Sequence, residues 1–297
     1  MLENLKFIYI WVLAGSMITA DVKLMLTKQQ YEVVGNHSRV KVCHWTKSDL
    51  REEGGCYKQK FYGIKSHQCV QMTPTFVCNN ACVFCWRDLR YHTQPAMEGG
   101  IDCPKDIVEG SIEAQRKLLS GFGGNEKTSD EKFERAMNPQ HVAISLDGEP
   151  TLYPRLPELI KEYKKKNFST FVVSNGLLPE RIEKLIEEPP TQLYISVDAP
   201  NEELFNIIDR PIIKNAWQGL YKTLSMLPEI RKKSRTTLRF TLIKGLNMAY
   251  PEQWADIIKL SRPMFVEVKA YMWVGMSRER LEQANMPLHD EVRKFAE

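Results

Sequence analysis

The chain has 297 residues, of which 43% are hydrophobic and 26% are charged. This composition supports a full hydrophobic core, either as one large domain or as a barrel with short extensions, and it excludes a disordered or fibrous protein. The formal net charge of +4 permits a polyanionic partner but does not require one.

An apolar run, FIYIWVLA, occupies residues 7–14 and is followed by Gly15 and Ser16. The run resembles the apolar part of a signal peptide, but it is too short to span a bilayer as a helix. We expect it either to pack as a terminal strand or helix, or to be an upstream extension before a start at Met17. A secreted protein would not carry the cysteine pattern that follows, so we expect a cytoplasmic protein with no membrane partner.

The first predicted element is a short amphipathic helix over residues 20–36, and residues 37–70 are predicted to be loop-rich. From residue 70 onward, predicted strands and helices alternate. The strands are predicted at 70–77, 141–146, 168–173, 192–197, 237–243 and 265–270. The helices are predicted at 104–119, 130–137, 154–166, 179–187, 201–208, 214–229 and 251–261, with one more starting near residue 288.

This alternation indicates a parallel sheet with right-handed crossovers. The number of β/α units is about six, fewer than the eight of a complete TIM barrel. The sequence therefore predicts an α/β fold, a partial (β/α)6 TIM-like barrel. We place an N-terminal, cysteine-bearing extension at residues 1–69 and the barrel at residues 70–297.

The chain contains seven cysteines, and six of them lie between residues 43 and 85. An odd number argues against a disulfide framework, and the clustering indicates metal or redox chemistry in a reducing compartment. Cys103 stands apart from the others, and we expect it to be a buried structural thiol.

The second group of three cysteines along the chain is Cys78, Cys82 and Cys85, which follow the first predicted barrel strand. Their spacing is Cys-x3-Cys-x2-Cys, and the aromatic Phe84 precedes the last one. Three thiolates on one loop can hold three irons of a cubane cluster and leave the fourth iron open. The competing interpretation is a zinc site, but zinc takes four ligands, commonly in Cys-x2-Cys pairs. The loop is similar to the [4Fe–4S] loop of radical S-adenosyl-L-methionine (SAM) enzymes, in which SAM binds the open iron.

Polar residues follow three of the predicted strands, where barrel enzymes carry their active sites. The segment Asp147-Gly148-Glu149 is similar to the Gly-Gly-Glu motif that holds the methionyl amino group of SAM, with Asp in place of the first Gly. Because of this departure, the alignment of the segment with the motif is open by one residue. Each of these polar segments, taken alone, is also typical of an ordinary turn at the end of a strand. The predicted cofactor-binding residues are Asp147, Gly148, Glu149, Ser174, Asn175, Ser196 and Asp198.

The first group of three cysteines, Cys43, Cys56 and Cys69, has the regular spacing Cys-x12-Cys-x12-Cys. It predicts a second [4Fe–4S] cluster with an open iron. Two other interpretations stay open at this point. The three cysteines can belong to a zinc site completed by His44 or His67, or they can be unrelated buried thiols.

Taken together, the run Cys43-His-Trp45, Gly55-Cys56-Tyr57-Lys58, His67-Gln-Cys69 and Cys78-Asn-Asn-Ala-Cys82-Val-Phe-Cys85-Trp86-Arg87 resembles the tRNA 4-demethylwyosine synthases. These are radical SAM carbon–carbon lyases of wybutosine biosynthesis. The resemblance extends from about residue 20 onward. Because the chain has no counterpart of the flavodoxin-like domain of the eukaryotic members, it resembles the short archaeal form.

The resemblance implies two [4Fe–4S] clusters, held by the two cysteine triads, and SAM. The reaction would convert N1-methylguanosine, beside the anticodon of phenylalanine tRNA, into tricyclic 4-demethylwyosine. A radical derived from SAM would take hydrogen from the N1-methyl group. Pyruvate, bound at the second cluster, would supply two carbons and lose the rest as CO2. We further expect an external electron donor and a monomeric enzyme.

Lys58 has a separate role in this resemblance, because a lysine in the Gly-Cys-Tyr-Lys segment is a candidate to form a Schiff base with pyruvate. Such capture requires an amine whose pKa is lowered by burial or by neighbouring cationic groups. The alternative role for Lys58 is a tRNA phosphate contact, and Lys60 and Lys65 are equally basic. Further basic runs at residues 161–166 and 231–239 are candidates for phosphate contacts, or are simply solvated surface.

Two other functions compete with the tRNA synthase. One is a two-cluster radical SAM enzyme that acts on another substrate. The other is a non-catalytic iron–sulfur or zinc protein that binds RNA. Iron content and reductive cleavage of SAM would separate the last from the two enzymes.

Overall fold

A computed structural model of the chain describes residues 18–297. The apolar run at residues 7–14, and the alternatives considered for it, lie outside these residues. None of the helices in the described part has the length and apolarity that a membrane crossing requires. The chain divides into two compact units. The first contains the described residues up to Phe76 and Met97–Val172, and the second contains Val77–Ala96 and Val173–Glu297. The predicted boundary at residue 69 stays a prediction.

The first unit opens with a helix and a β-hairpin that lead into parallel strands. The strands are β1 (Glu32–Val34), β2 (Ser38–Val40), β3 (Cys69–Thr73), β4 (His141–Ile144) and most of β5 (Ser169–Ser174). The helices of this unit are α1 (Ala20–Lys28), α2 (His44–Leu50), α3 (Tyr57–Tyr62), α5 (Pro104–Leu119), α6 (Asp130–Ala136) and α7 (Leu156–Lys165). β1 and β2 are antiparallel, as are β2 and β3, whereas β3, β4 and β5 are parallel.

The second unit continues the alternation. It contains the helices α4 (Leu89–His92), α8 (Pro179–Glu183), α9 (Glu202–Ile208), α10 (Ala216–Ile230), α11 (Pro251–Ser261) and α12 (His289–Ala296). Its strands β6 (Gln192–Ser196), β7 (Arg235–Leu242) and β8 (Phe265–Ala270) are parallel neighbours. The α/β class, the mostly parallel strands and the number of six barrel strands, β3 to β8, agree with the prediction.

The prediction for residues 20–36 was wrong in its second half. Helix α1 ends at Lys28, and residues 32–40 form the hairpin of β1 and β2, in which Val34 pairs with Ser38. The β-branched pair Val33-Val34 favours a strand, and Gly35 adopts the left-handed turn conformation with φ 60°. Asn36 is then held by two hydrogen bonds to the carboxylate of Asp102, at 2.7 and 2.6 Å.

Residues 37–70 are also more regular than the loop-rich segment that we expected, because α2 and α3 lie within them. Leu50 of α2 packs in a buried cluster with Leu119 of α5 and Ala136 of α6, so the cysteine-bearing segment is part of the core of the first unit. Apolar residues that are only a few positions apart in a short helix carry a weak periodic signal. Tertiary burial, and not local periodicity, therefore stabilises α2.

Candidate functional site

The loop that carries Cys78, Cys82 and Cys85 (residues 78–85, the cysteine loop) is held in the second unit by its own backbone. The amide of Cys78 donates to the carbonyl of His92 at 2.8 Å. The amide of Val83 donates to the carbonyl of Ile208, the last residue of helix α9, at 2.8 Å. Main-chain bonds of this kind fix the loop without using any side chain of a candidate ligand.

Each thiol of the cysteine loop has a polar neighbour. Cys82 Sγ donates to Asp209 Oδ1 at 3.3 Å, and Cys85 Sγ lies 3.8 Å from His92 Nε2. Asn175 Nδ2 lies 4.0 Å from Cys78 Sγ, so the residue just after β5 reaches the cysteine loop.

The electrostatics of Cys82 show that the three thiols converge. Burial raises the pKa of Cys82 well above its usual range, and the nearby Asp209, Cys78 and Cys85 raise it further. All three cysteines are free of disulfides. Three converging free thiols fit a three-thiolate [4Fe–4S] cluster, in which each cysteine binds a different iron. Within residues 18–297, no group of three or more His, Cys, Asp or Glu side chains has the geometry of a single-ion site.

The predicted SAM-binding residues of the second unit are mostly engaged in local hydrogen bonds. Asp198 follows β6, and its carboxylate accepts from the amide of Thr241 at 2.9 Å; burial raises its pKa to about 6. Ser174 Oγ accepts from the amide of Gly176 at 3.0 Å and is buried. Asn175 Nδ2 donates to Asn79 Oδ1 at 2.7 Å. Ser196 is the last residue of β6. Direct contact of these residues with SAM stays a prediction.

The segment 147–149 of the first unit is built around a buried ion pair that sequence reasoning missed. Arg39 of β2 donates to both carboxylate oxygens of Asp147, at 3.2 and 2.5 Å, and both side chains are almost inaccessible, at 6% and 1% exposed. Gly148 then turns the chain with φ 64°, and Glu149 is buried. The Asp147 side chain is thus directed at Arg39, while Glu149 follows at the turn. The sequence signal that could have found the pair is a lone arginine inside the strand Ser38–Val40.

The first cysteine triad also converges, in the first unit. Cys43 and Cys56 immediately precede helices α2 and α3, and Cys69 is the first residue of β3. Burial raises the pKa of Cys69 to about 12, the positive charge of Lys58 lowers it, and Cys43 and Cys56 raise it. Burial likewise raises the pKa of Cys43, with Cys56 and Lys58 among its neighbours. These mutual effects place the three thiols and one lysine in a single group.

Only one of the three lysines considered belongs to this group. Lys58 is partly buried, and its ammonium lies 4.9 Å from the centre of the Phe171 ring. Lys60 and Lys65 are both exposed, and neither is among the main causes of the raised pKa of Cys43 or Cys69. The tertiary structure therefore separates residues that the sequence could not distinguish.

One prediction about the cysteines was wrong. Cys103 is exposed, not buried. It precedes Pro104 at the start of α5, and that position lies at the surface of the first unit. His67, a candidate zinc ligand, bonds Asp49 Oδ2 through Nδ1 at 2.7 Å, and its Nε2 is a buried atom with no hydrogen-bond partner.

Other residues around the cysteine loop were not anticipated from the sequence. Asp209 contacts Cys82, His92 contacts Cys85, and Arg280 donates to main-chain oxygens of the loop. Asp209 and Arg280 lie more than 120 residues away from the cysteines in the chain. No short-range pattern could have connected them to the site.

Comparisons with known proteins agree with this geometry. The family model of the radical SAM superfamily matches residues 72–258, and the model for wyosine base formation matches residues 260–297. The S-adenosyl-L-methionine-dependent tRNA 4-demethylwyosine synthase of Pyrococcus horikoshii is 49% identical over 291 residues, which cover 97% of this chain and 84% of that protein.

Two solved structures are also similar. A structure of TYW1 with a lysine–pyruvate adduct bound has a TM-score of 0.83 and 38% identity, over 94% of this chain and 88% of that one. A crystal structure of archaeal TYW1 has a TM-score of 0.75 and 36% identity, over the same shares of the two chains. The chain therefore belongs to the tRNA 4-demethylwyosine synthase family of radical SAM enzymes.

Proposed function

We propose that this protein is a two-cluster radical SAM enzyme that forms 4-demethylwyosine from N1-methylguanosine in tRNA, with pyruvate as the co-substrate. Membership of the family implies SAM and one [4Fe–4S] cluster, for which Cys78, Cys82 and Cys85 are the ligands. When bound, this cluster supplies the electron that cleaves SAM to methionine and a 5′-deoxyadenosyl radical. The single observation that carries the proposal is the group formed by Lys58 and the first cysteine triad.

Cys43, Cys56 and Cys69 would hold the second cluster, and Lys58 would bind pyruvate covalently beside it. The neutral amine attacks C2 of pyruvate, water leaves, and a C=N bond replaces the ketone. Lys58 is partly buried, and its side-chain nitrogen lies 4.9 Å from the centre of the Phe171 ring, so the amine is held beside the first cysteine triad. The lysine–pyruvate adduct in a similar solved structure supports this assignment.

Engagement of tRNA is supported by an exposed aromatic and basic surface beside the cysteine loop. Trp86 is 44% exposed, and the guanidinium of Arg87 stacks 3.7 Å from its ring centre. Arg278 lies over the Trp273 ring at 4.7 Å, and the amide of Met276 bonds the carbonyl of Trp86 at 3.0 Å. Stacked Trp and Arg side chains are suited to unpaired bases of an anticodon loop. We propose this surface for the nucleotides around the modified base.

The basic run at residues 231–239 is less suited to this role. It precedes and enters β7, and its first residues lie at the amino end of that strand, whereas Asp198 follows the carboxyl end of the parallel neighbour β6. Arg231 donates to the carbonyl of Arg262, and Lys232 pairs with Glu229. The start of the run is therefore occupied by local contacts, whereas Arg239, at its end, lies opposite Ser196 in the register of β6 and β7.

The decisive assay is anaerobic incubation of the reconstituted protein with tRNA that carries N1-methylguanosine, SAM, a reductant as the external electron donor, and pyruvate. Nucleoside analysis should find the tricyclic product. Reductive SAM cleavage without that product, on this tRNA with pyruvate present, would favour a radical SAM enzyme with another substrate. A stable zinc form that does not cleave SAM would favour a non-catalytic RNA-binding protein.

Lys58→Arg tests the covalent step, because it keeps the positive charge but removes the amine. We expect loss of product with SAM cleavage retained, whereas Lys60→Ala should form product normally. Treatment of the pyruvate-incubated enzyme with borohydride should leave a carboxyethyl group on Lys58. A trapped adduct on Lys60 or Lys65 instead would show that the assignment of the lysine is wrong. Monomeric state is checked by the mass of the reconstituted protein in solution.

A further inference from the structure

Residues 271–281, which follow β8, form a compact segment with its own side-chain hydrogen bonds. The hydroxyls of Tyr271 and Ser277 share a bond of 2.8 Å, and both residues are buried. The indole nitrogen of Trp273 donates to the carbonyl of Leu281 at 2.8 Å, which ties the end of the segment to its beginning. The segment can therefore present its backbone and Arg280 in a fixed arrangement.

This segment is bonded to the cysteine loop within the second unit. Arg280 Nε donates to the carbonyl of Val83 at 3.1 Å, and a terminal nitrogen of the same guanidinium donates to the carbonyl of Cys85. The planar guanidinium thus spans two carbonyls around the last cluster ligand. The amide of Met276 adds a bond to the carbonyl of Trp86 at 3.0 Å.

Gly275 permits the close approach of the two backbones. Its φ is 58°, and a Cβ added at this position would lie 2.4 Å from the carbonyl oxygen of Trp86. Any larger residue would have to move either the segment or the cysteine loop. A glycine is required here both for its conformation and for the missing side chain.

The two partners belong to different family matches. The cysteine loop lies in the region shared with the whole radical SAM superfamily, residues 72–258, and the segment 271–281 lies in the region matched by wyosine base formation. We propose that Arg280 is a positioning residue, through which the wyosine-specific part of the chain holds the cysteine loop and sets the charge around its [4Fe–4S] cluster. The proposal depends on the cluster and is independent of the tRNA substrate.

Two consequences follow from the geometry. Without the guanidinium, the carbonyls of Val83 and Cys85 lose their donors, so the loop should open more often. A fixed positive charge and hydrogen bonds beside a cluster also favour its reduced, more negative state. Loss of Arg280 should therefore lower the reduction potential, whereas loss of a distant arginine should not.

The experiment compares Arg280→Gln and Arg280→Lys with Arg231→Gln in the full chain. Arg231 is a matched control, because its guanidinium also donates to a backbone carbonyl, that of Arg262, but far from the cysteine loop. In the cluster-free, reduced protein, iodoacetamide alkylation of Cys78, Cys82 and Cys85 is followed by peptide mass spectrometry. In the reconstituted protein, the EPR signal that changes on addition of SAM is titrated against the applied potential.

For Arg280→Gln we expect alkylation of the three cysteines to become several-fold faster and the potential of the SAM-responsive signal to fall. Arg280→Lys keeps the positive charge but cannot span both carbonyls. Its reduction potential should therefore be closer to the wild-type value than its alkylation rate is. Arg231→Gln should match the wild type in both measurements. Wild-type alkylation rates together with a wild-type potential in Arg280→Gln would overturn the proposal.

A second pair of variants tests the segment without changing any charge. Gly275→Ala should speed alkylation of the three cysteines through the clash with Trp86. Gly245→Ala is its matched control, since Gly245 also has a positive φ, 82°, but an added Cβ would meet only Asn285 Nδ2, at 3.9 Å. Equal alkylation rates in these two glycine variants would show that the segment does not hold the loop.

Discussion

Replacement of Arg39 by methionine should strongly destabilise the first unit. The Arg39 guanidinium bonds both oxygens of Asp147 and lies 5.3 Å from the ring centres of both Tyr31 and Phe76. Methionine keeps much of the apolar stem that packs between the two rings, but it leaves the carboxylate of Asp147 buried without its guanidinium partner. Removal of one member of a buried ion pair costs about 3–5 kcal/mol.

This loss can be measured as a change in thermal unfolding midpoint. For a chain of this size, 1 kcal/mol corresponds to roughly 2–4 °C, so Arg39→Met should lower the midpoint of the cluster-free protein by roughly 6–20 °C. The double variant Arg39→Met with Asp147→Asn removes both charges and should recover most of the loss. The exposed pair Arg155 and Glu158 supplies the control, and Arg155→Met should change the midpoint little.

The functional readout of the same variant concerns SAM. Asp147 begins the turn that carries Glu149, and the Asp147 carbonyl accepts from Thr73 Oγ1 at 2.6 Å. We expect Arg39→Met to raise the KM for SAM more than it lowers kcat for reductive cleavage. The reasoning is refuted if Arg39→Met unfolds at the wild-type midpoint, or if the double variant is as unstable as the single one.

Three further predictions concern the first unit. Cys56→Ala should reduce the iron content from about eight to about four per chain while SAM cleavage persists, measured by iron analysis after reconstitution; unchanged iron would remove Cys56 as a ligand. Burial alone would raise the pKa of Asp49, but the hydrogen bonds from His67 and Lys132 outweigh it and lower the pKa to about 2. The contribution of Asp49 to stability is therefore fully present above its unfolded pKa of 3.8 and is lost as the pH falls through its folded pKa of about 2. Asp49→Asn should therefore make the free energy of unfolding depend less on pH between these two values. Tyr163→Phe removes the buried 2.6 Å bond to Ser111 Oγ and should cost about 1 kcal/mol in chemical denaturation.

Local patterns in the sequence were sufficient for the order of most elements. Helix Pro251–Ser261 and strand Phe265–Ala270 agree with the predicted 251–261 and 265–270, and in the helix the apolar periodicity reports directly which face is buried. The hairpin at residues 32–40 was missed, since its strands are only three residues long and are stabilised partly by Asp102, 66 residues further along the chain.

The sequence by itself determined the family of this protein and predicted its two clusters and the role of Lys58. The two cysteine triads and the segment around Lys58 indicate iron–sulfur clusters, SAM and the family, because ligand type and spacing are properties of the chain alone. Only the tertiary structure decided which lysine joins the first triad, which residue pairs with the carboxylate of Asp147, and which residues bond the cysteine loop. Lys58 contacts Phe171, Arg39 bonds Asp147 and Arg280 bonds the cysteine loop, and each of these partners is far away in sequence. Apart from the lone arginine in the strand Ser38–Val40, such contacts have no local signature.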